Sequence, residues 1–268
     1  MDLYIMKIGG SVITEKDSNK LEARVDELRR IAAEIKRAKS ERKFGLVVVH
    51  GAGPFGHKLV SEYDCNNGIR TARHIEGFVR THNSMEDLNK VVSDVFREQG
   101  LLGFPIQPSA CIVQRNKKIV KFDIEIIKKI MALGADIIPI MYGDMVVDEK
   151  LWASVVSGDA IVPYLARKLK ASKVFFGSDV DGIFTADPKT DKDAKLIPEI
   201  NKRNFNAVLG MVGGAKSVDV TGGMKGKINA LRKDLGGKKV VIFNALTPEN
   251  TYNALAGKKI ACTEINVI

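Results

Sequence analysis

Strand-like apolar runs that end in glycine and lead into helix-like stretches recur along this chain. That alternation constrains the fold more than any other feature. Leu3–Ile8 reads as a strand and stops at Gly9-Gly10; Phe44–His50 reads as a strand and stops at Gly51. Pro54 then stands at a helix start, where its missing N–H does no harm. Glu22–Lys39 reads as helix, and His74–Gln99 carries Phe78, Met85, Leu88, Val92, Val95 and Phe96 at the spacing of one helical face. Asp123–Leu133 and Asp159–Leu169 read as helices, Asp136–Met141 and Lys173–Phe176 as strands. Two hairpins are expected, Ile112–Gln114 with Lys118–Phe122, and Met145–Val147 with Trp152–Val156. After a polar loop at Asp187–Lys195 come a helix at Lys225–Lys233, a strand at Lys239–Phe243 and a short helix at Pro248–Leu255. Short strands are expected at Lys259–Cys262 and Glu264–Ile268. The pattern predicts a mostly parallel sheet covered by helices. No linker or repeat divides the chain, so one continuous sheet with two lobes is expected, the lobes meeting near residues 170–175.

The chain has 268 residues, enough for a large core. Its +10 net charge could serve nucleic acid or an anionic small molecule. The basic residues are spread along the chain beside acids, as in Lys39-Ser40-Glu41-Arg42-Lys43, and aromatic residues make up only 6%, so no nucleic-acid footprint is drawn. Cys65, Cys111 and Cys262 match no metal spacing, and so sparse an odd set fits a reducing cytoplasmic setting. No apolar run approaches a membrane span, and no signal peptide is visible before Leu3.

The stretch Gly51-Ala52-Gly53-Pro54-Phe55-Gly56-His57 has the G-x-G-x-x-G spacing of dinucleotide sites. Such a site needs a following strand that ends in an acid about 20 residues on. Ser61–Glu76 is polar and holds no apolar strand, so the dehydrogenase reading fails. What remains is a strand ending in glycines at a helix start, where N–H groups and the helix dipole favour an anion. One such loop reads equally as a tight turn. Four occur here: Gly9-Gly10-Ser11, the stretch above, Ser157-Gly158-Asp159, and Thr221-Gly222-Gly223-Met224-Lys225-Gly226-Lys227. Parallel strands gather their carboxyl ends on one edge, where open α/β sheets bind ligands. Several glycine turns there suggest more than one phosphate. Lys7, Lys16 and Lys227 accompany them, and Lys7 interrupts an apolar strand and must point at something. There is no Walker A sequence and no protein-kinase set.

The ordered motifs K-I-G-G-S, H-G-A-G-x-F-G-H, S-G-D, S-D-V-D-G and D-V-T-G-G-M-x-x-K resemble the amino-acid kinase superfamily, and the loop ending in His57 resembles its isopentenyl phosphate kinases. The match runs from Met6 to Lys227 and resumes weakly near Thr263. The resemblance implies a three-layer αβα sandwich with a mostly parallel central sheet. It implies one domain over residues 1–268, with a phosphate-acceptor lobe at about 1–170 and a nucleotide lobe at about 171–268. It implies ATP with Mg²⁺, isopentenyl phosphate as acceptor in an alternative mevalonate route of isoprenoid biosynthesis, and a cytoplasmic homodimer. Lys7, Gly9, Gly10 and Ser11 would line the ATP phosphates, joined by Gly223 and Lys227. Lys16 would sit at the transferring phosphoryl group. Ala52 and Gly53 would offer N–H groups between the two phosphates, His57 and Gly158 would hold the acceptor phosphate, and Asp179 would belong to the nucleoside side. Lys7, Lys16, His57 and Lys227 would thus be catalytic.

This chain departs from the pattern at Ala52 in place of a glycine, at Ser178 for threonine, and at Cys262 where glycine often precedes Thr263. Ala160 follows S-G-D where a second acid is common, and no protein ligand to a metal is assigned.

A phosphate monoester is mostly dianionic at pH 7 and needs no general base. Catalysis would be positioning and charge neutralisation. The acceptor's tail would need an apolar cavity, with the helix bearing Phe78, His82, Met85 and Glu86 as a candidate wall. His50 is expected to be structural, and His74 and His82 to lie on the surface or a pocket rim. Two other readings stay open: another small-molecule kinase of the same fold, such as a fosfomycin kinase, and a non-catalytic nucleotide-binding regulator. Retention of Lys7, Lys16 and Lys227 speaks against the regulator.

Overall fold

A computed structural model describes residues 1–15, 21–212, 235 and 238–266. In chain order the elements are β1 (Leu3–Ile8), α1 (Gly10–Ile13), α2 (Val25–Glu41), β2 (Gly45–His50), α3 (Pro54–Glu62) and α4 (Ala72–Glu98). There follow β3 (Leu102–Pro105), α5 (Pro108–Cys111), β4 (Ile112–Arg115), β5 (Lys118–Phe122), α6 (Glu125–Leu133) and β6 (Ile137–Tyr142). Then come β7 (Asp144–Asp148), β8 (Trp152–Val156), α7 (Gly158–Lys168) and β9 (Lys173–Ser178). The last are β10 (Ile183–Phe184), β11 (Leu196–Ile197), β12 (Glu199–Asn201), α8 (Phe205–Val212), β13 (Lys239–Asn244), α9 (Asn250–Ala256) and β14 (Cys262–Asn266).

The main sheet has eight strands in the order β12-β14-β13-β9-β1-β2-β6-β3. From β13 to β3 every neighbouring pair is parallel; β14 runs antiparallel to β13, and β12 follows β14. The period of two in β1 divides its side chains between two cores. Tyr4, Met6 and Ile8 join Leu46 and Val48 against residues of α2, α4 and α9. Ile5 joins Val47 and Val49 against residues of α6, α7 and α8. Because both faces are covered, these strands read as unbroken apolar runs, as buried parallel strands do. The result is the expected three-layer αβα sandwich.

A second sheet, in the order β5-β4-β7-β8, holds the two expected hairpins. Its knot is Asp148, 1% exposed. Its carboxylate accepts from the backbone N–H of Asn116 (2.9 Å), Lys117 (2.8 Å), Lys150 (2.9 Å) and Leu151 (3.0 Å), and from the Ser154 hydroxyl (2.8 Å). On the other side, Glu34 of α2 is buried and accepts from the N–H of Glu249 and of Tyr252 at the start of α9. Arg30 neutralises it at 2.7 Å. This pins the turn after β13 to the first half of the chain.

Some expectations need correcting. Lys259–Cys262 is not a strand of its own: Cys262 opens β14, which pairs with β13 from Phe243 to Val240. The edge strand β3 carried no alternating signal, because Leu102, Phe104 and Pro105 are all exposed. The expected helix at Lys225–Lys233 lies outside the described residues. Among the described residues, no helix is long and apolar enough to cross a membrane.

Candidate active site

Three of the four glycine turns meet at the carboxyl edge of the main sheet. The first two interlock backbone to backbone. The Gly9 N–H donates to the Gly177 carbonyl at 2.8 Å, and the Gly51 N–H to the Ile8 carbonyl at 2.8 Å. A Cβ on Gly10 would stand 2.3 Å from the Gly53 nitrogen, and one on Gly51 would stand 2.5 Å from the Gly10 nitrogen. No side chain fits between these loops. Gly53 also has φ +51°, and a Cβ there would meet Thr14 Oγ1 at 2.0 Å. Thr14 is fully buried and donates to the Gly10 carbonyl at 2.7 Å, tying the end of α1 to its start. Ala52 is not among the residues with positive φ, which is why alanine is tolerated there.

The third turn reaches the edge by a route the alternation does not reveal. It follows β8 of the smaller sheet, not a strand of the main one. Ser157 caps α7 by accepting from the Ala160 N–H at 3.2 Å. A Cβ on Gly158 would come within 3.3 Å of Lys7 Cε and of Val49 Cγ1. Lys7 shares a sheet face with Ile5 and therefore points toward α7. Its Nζ meets Asp159 Oδ1 at 2.7 Å. The side chain that had to point at something thus joins the first loop to the third. Asp159 was legible only as part of S-G-D; its role as the partner of Lys7 needed the fold.

Pro54 opens α3, and His57 stands exposed in its first turn. Asp179 follows β9 at the same sheet edge and pairs with Lys189 of the polar loop. Ser11 lies in α1. The structure therefore brings Lys7, Gly9, Gly10, Ser11, Ala52, Gly53 and Gly158 to one place, with His57 on the helix that starts there and Asp179 just past the strand that ends there. Lys16, Gly223 and Lys227 lie outside the described residues. Among the described residues, no cluster of three or more His, Cys, Asp or Glu could hold a metal ion.

Two histidines are bound up with this edge in ways the sequence did not show. His50 is fully buried at the end of β2. Burial holds its pKa down to about 4, against the smaller pull of the Gly51 carbonyl and Asn89. His82 of α4 is no free rim residue. Its Nδ1 lies 2.9 Å from the buried Asp144 carboxylate, and the Gln107 amide lies 2.8 Å from Nε2. The bond to Asp144 raises the His82 pKa, against its desolvation.

The expected α4 wall is accordingly mixed. Met85 is buried in the main core, with its sulfur 3.2 Å from where a Gly56 Cβ would stand. Glu86 lies 3.5 Å from His82, in the polar group. Phe78 alone of the four packs on a separate apolar cluster, Val60, Cys65, Met145 and Ala153, with Tyr63, Ile69 and Val155 around it.

Glycine turns packed too closely for side chains, a lysine held in the sheet and helix starts facing the same edge define a class: α/β proteins that bind phosphate groups at the carboxyl ends of a parallel sheet. Residues 2–244 match the amino acid kinase family. The chain belongs to that family, on its isopentenyl phosphate kinase branch. It is 37% identical to the isopentenyl phosphate kinase of Methanothermobacter thermautotrophicus over 98% of each chain. A solved isopentenyl phosphate kinase superposes with a TM-score of 0.82 at 35% identity, over 98% of this chain and 100% of that one. An isopentenyl phosphate kinase solved as a substrate complex gives 0.78 at 26% identity, over 99% of this chain and 100% of that one.

Proposed function

We propose that this chain transfers the terminal phosphoryl group of ATP to isopentenyl phosphate, giving isopentenyl diphosphate and ADP. The observation that carries this reading is the full-length likeness to isopentenyl phosphate kinases in both sequence and structure. The geometry supports it at three points.

The first is the room for phosphate. Gly10 and Gly51 bring the first two loops into backbone contact and Gly53 packs on Thr14, which gathers glycine N–H groups and helix starts at one edge, where an anion is favoured. The second is charge. Two anions must be brought together, and nothing in the reaction needs a general base, because the acceptor oxygen is already mostly ionised at pH 7. Lys7 supplies a cation held in register by Asp159. We assign Lys16 to the transferring group, Lys227 and Gly223 to the ATP phosphates with Gly9, Gly10 and Ser11, and Asp179 to the nucleoside side. Ala52 and Gly53 stand between the phosphates, and His57 with Gly158 holds the acceptor phosphate. His57 can donate to a phosphate oxygen, and a dianion beside it would favour its charged form. Mg²⁺ accompanies the nucleotide and lowers the repulsion between the two phosphate groups.

The third point is the tail. The cluster around Val60, Cys65, Met145 and Ala153 lies beside α3 and α4, apart from the two main cores. A short hydrocarbon chain extending from His57 would meet apolar surface there. The arginines of α4, Arg73, Arg80 and Arg97, are on its outer side, so no guanidinium fork is offered to a carboxylate acceptor. We further assign one kinase domain, working as a cytoplasmic homodimer, with the acceptor held by about residues 1–170 and the nucleotide by about 171–268.

A coupled ADP-release assay over isopentenyl phosphate, dimethylallyl phosphate, fosfomycin and carbamate tests the reading. Turnover of isopentenyl phosphate well above the others is expected. Turnover of fosfomycin or carbamate with none of either prenyl phosphate would overturn the acceptor and leave the kinase.

A further inference from the structure

We infer that His50 is a positioning residue for the phosphate loop, aiming the Ala52 N–H by holding the carbonyl on the far side of the same peptide plane. The inference rests on the kinase reading above and adds to it a side chain that touches neither substrate.

His50 ends β2 and is fully buried. Its Nδ1 lies 3.0 Å from the Gly51 carbonyl oxygen. A carbonyl can only accept, so Nδ1 carries the hydrogen. Its Nε2 lies 3.2 Å from the side-chain Oδ1 of Asn89 on α4. A ring kept neutral by burial has one hydrogen, already committed to Nδ1. Nε2 is then left as an acceptor, which requires the Asn89 amide to be turned over so that its NH₂ takes the place of Oδ1, an exchange of near-identical atoms. The ring lies against Tyr142 with centroids 5.4 Å apart and planes 17° from parallel. Contacts from α4 and β6 thus hold the ring in place, and the Gly51 carbonyl sets its tautomer.

What the ring holds is half of a peptide unit. In a trans peptide the C=O and the next N–H lie in one plane and point opposite ways. The carbonyl of Gly51 and the N–H of Ala52 are such a pair. The preceding unit is fixed as well, since the Gly51 N–H donates to the Ile8 carbonyl. Gly10 backbone closes one side, 2.5 Å from where a Gly51 Cβ would stand. With the carbonyl tied to His50, the Ala52 N–H has one direction left. A donor aimed before the reaction stabilises developing charge without first having to turn.

The test separates aiming from mere packing. His50→Phe keeps a flat ring against Tyr142 and removes the donor; His50→Asn returns a side-chain N–H near the Nδ1 position. With isopentenyl phosphate as acceptor, His50→Phe should lower kcat about tenfold or more while KM for ATP stays within about threefold, and His50→Asn should recover part of the loss. Long-range proton–nitrogen spectra of the wild type at pH 7 should show one buried neutral imidazole with its hydrogen on Nδ1. A folded His50→Phe with wild-type kcat overturns the proposal, as does a loss confined to KM, or a spectrum with the hydrogen on Nε2 or on both nitrogens. If circular dichroism shows His50→Phe unfolded, His50→Asn and the spectrum decide. A wild type that turns over no isopentenyl phosphate overturns the substrate reading instead, and the spectrum still decides the contact.

Discussion

At the scale of single residues, the site is a problem in charge. His57 is exposed in the first turn of α3, so removing it disturbs no core. His57→Ala should raise the acceptor KM about tenfold or more and leave ATP binding intact, while His57→Gln should keep part of the function by keeping a donor. Initial rates over both substrates check this; lost ATP binding with an unchanged acceptor KM would put the histidine on the wrong ligand. Lys16 lies in the polar run Thr14-Glu15-Lys16-Asp17. Lys16→Ala should lower kcat about 100-fold or more with ATP affinity much less affected, if it acts on transition-state charge. Single-turnover rates on the purified variant measure it, and near-normal kcat removes Lys16 from the mechanism.

At the scale of elements, the smaller sheet depends on one carboxylate. Burial alone would raise the Asp148 pKa. The amides of Lys117, Lys150 and Asn116 and the Ser154 hydroxyl outweigh it and hold the carboxyl well below the usual aspartate range. A folded-state pKa below the unfolded one of about 3.9 adds stability that is complete above the unfolded value and lost as pH falls through the folded one. Asp148→Asn should cost roughly 2–3 kcal/mol near pH 7, because an amide puts donors where donors already converge. Thermal midpoints from pH 7 down to pH 3 should show the gap between variant and wild type narrowing below about pH 4; a gap independent of pH would rule out the ionised carboxylate as its source. The same scale governs acceptor length. Phe78 is only partly buried and packs on the small apolar cluster. Phe78→Ala should open room there and raise activity toward longer prenyl monophosphates such as geranyl phosphate, at a cost of up to about 3 kcal/mol in stability. Unchanged acceptor preference in a folded variant would move the limiting wall elsewhere.

At the scale of the whole molecule, two apolar layers enclose one eight-stranded sheet, and the phosphate loops gather where β1, β2 and β9 end. Glu34 and Arg30 tie the turn after β13 to α2, so the two halves of the chain share buried charge as well as sheet. The homodimer reading is checked by light scattering of the purified protein, which should give twice the chain mass; the mass of one chain over a tenfold dilution series would set it aside.

The sequence by itself determined the alternation of strand and helix, the covered parallel sheet and the glycine turns, because burial on both faces and close backbone approach leave direct marks on residue type. The ordered motifs likewise carried the family and the site residues proposed from it. Elements whose residues answer to their surroundings left no such mark. The edge strand β3 exposes Leu102 and Phe104, and Cys262 opens β14 through pairing with Phe243, 19 positions earlier in the chain. The side-chain partnerships were equally hidden. Lys7 and Asp159 stand 152 positions apart, His82 and Asp144 stand 62, and His50 and Asn89 stand 39. Each pair is joined by strand register and helix packing, which leave no mark on the local sequence of either partner.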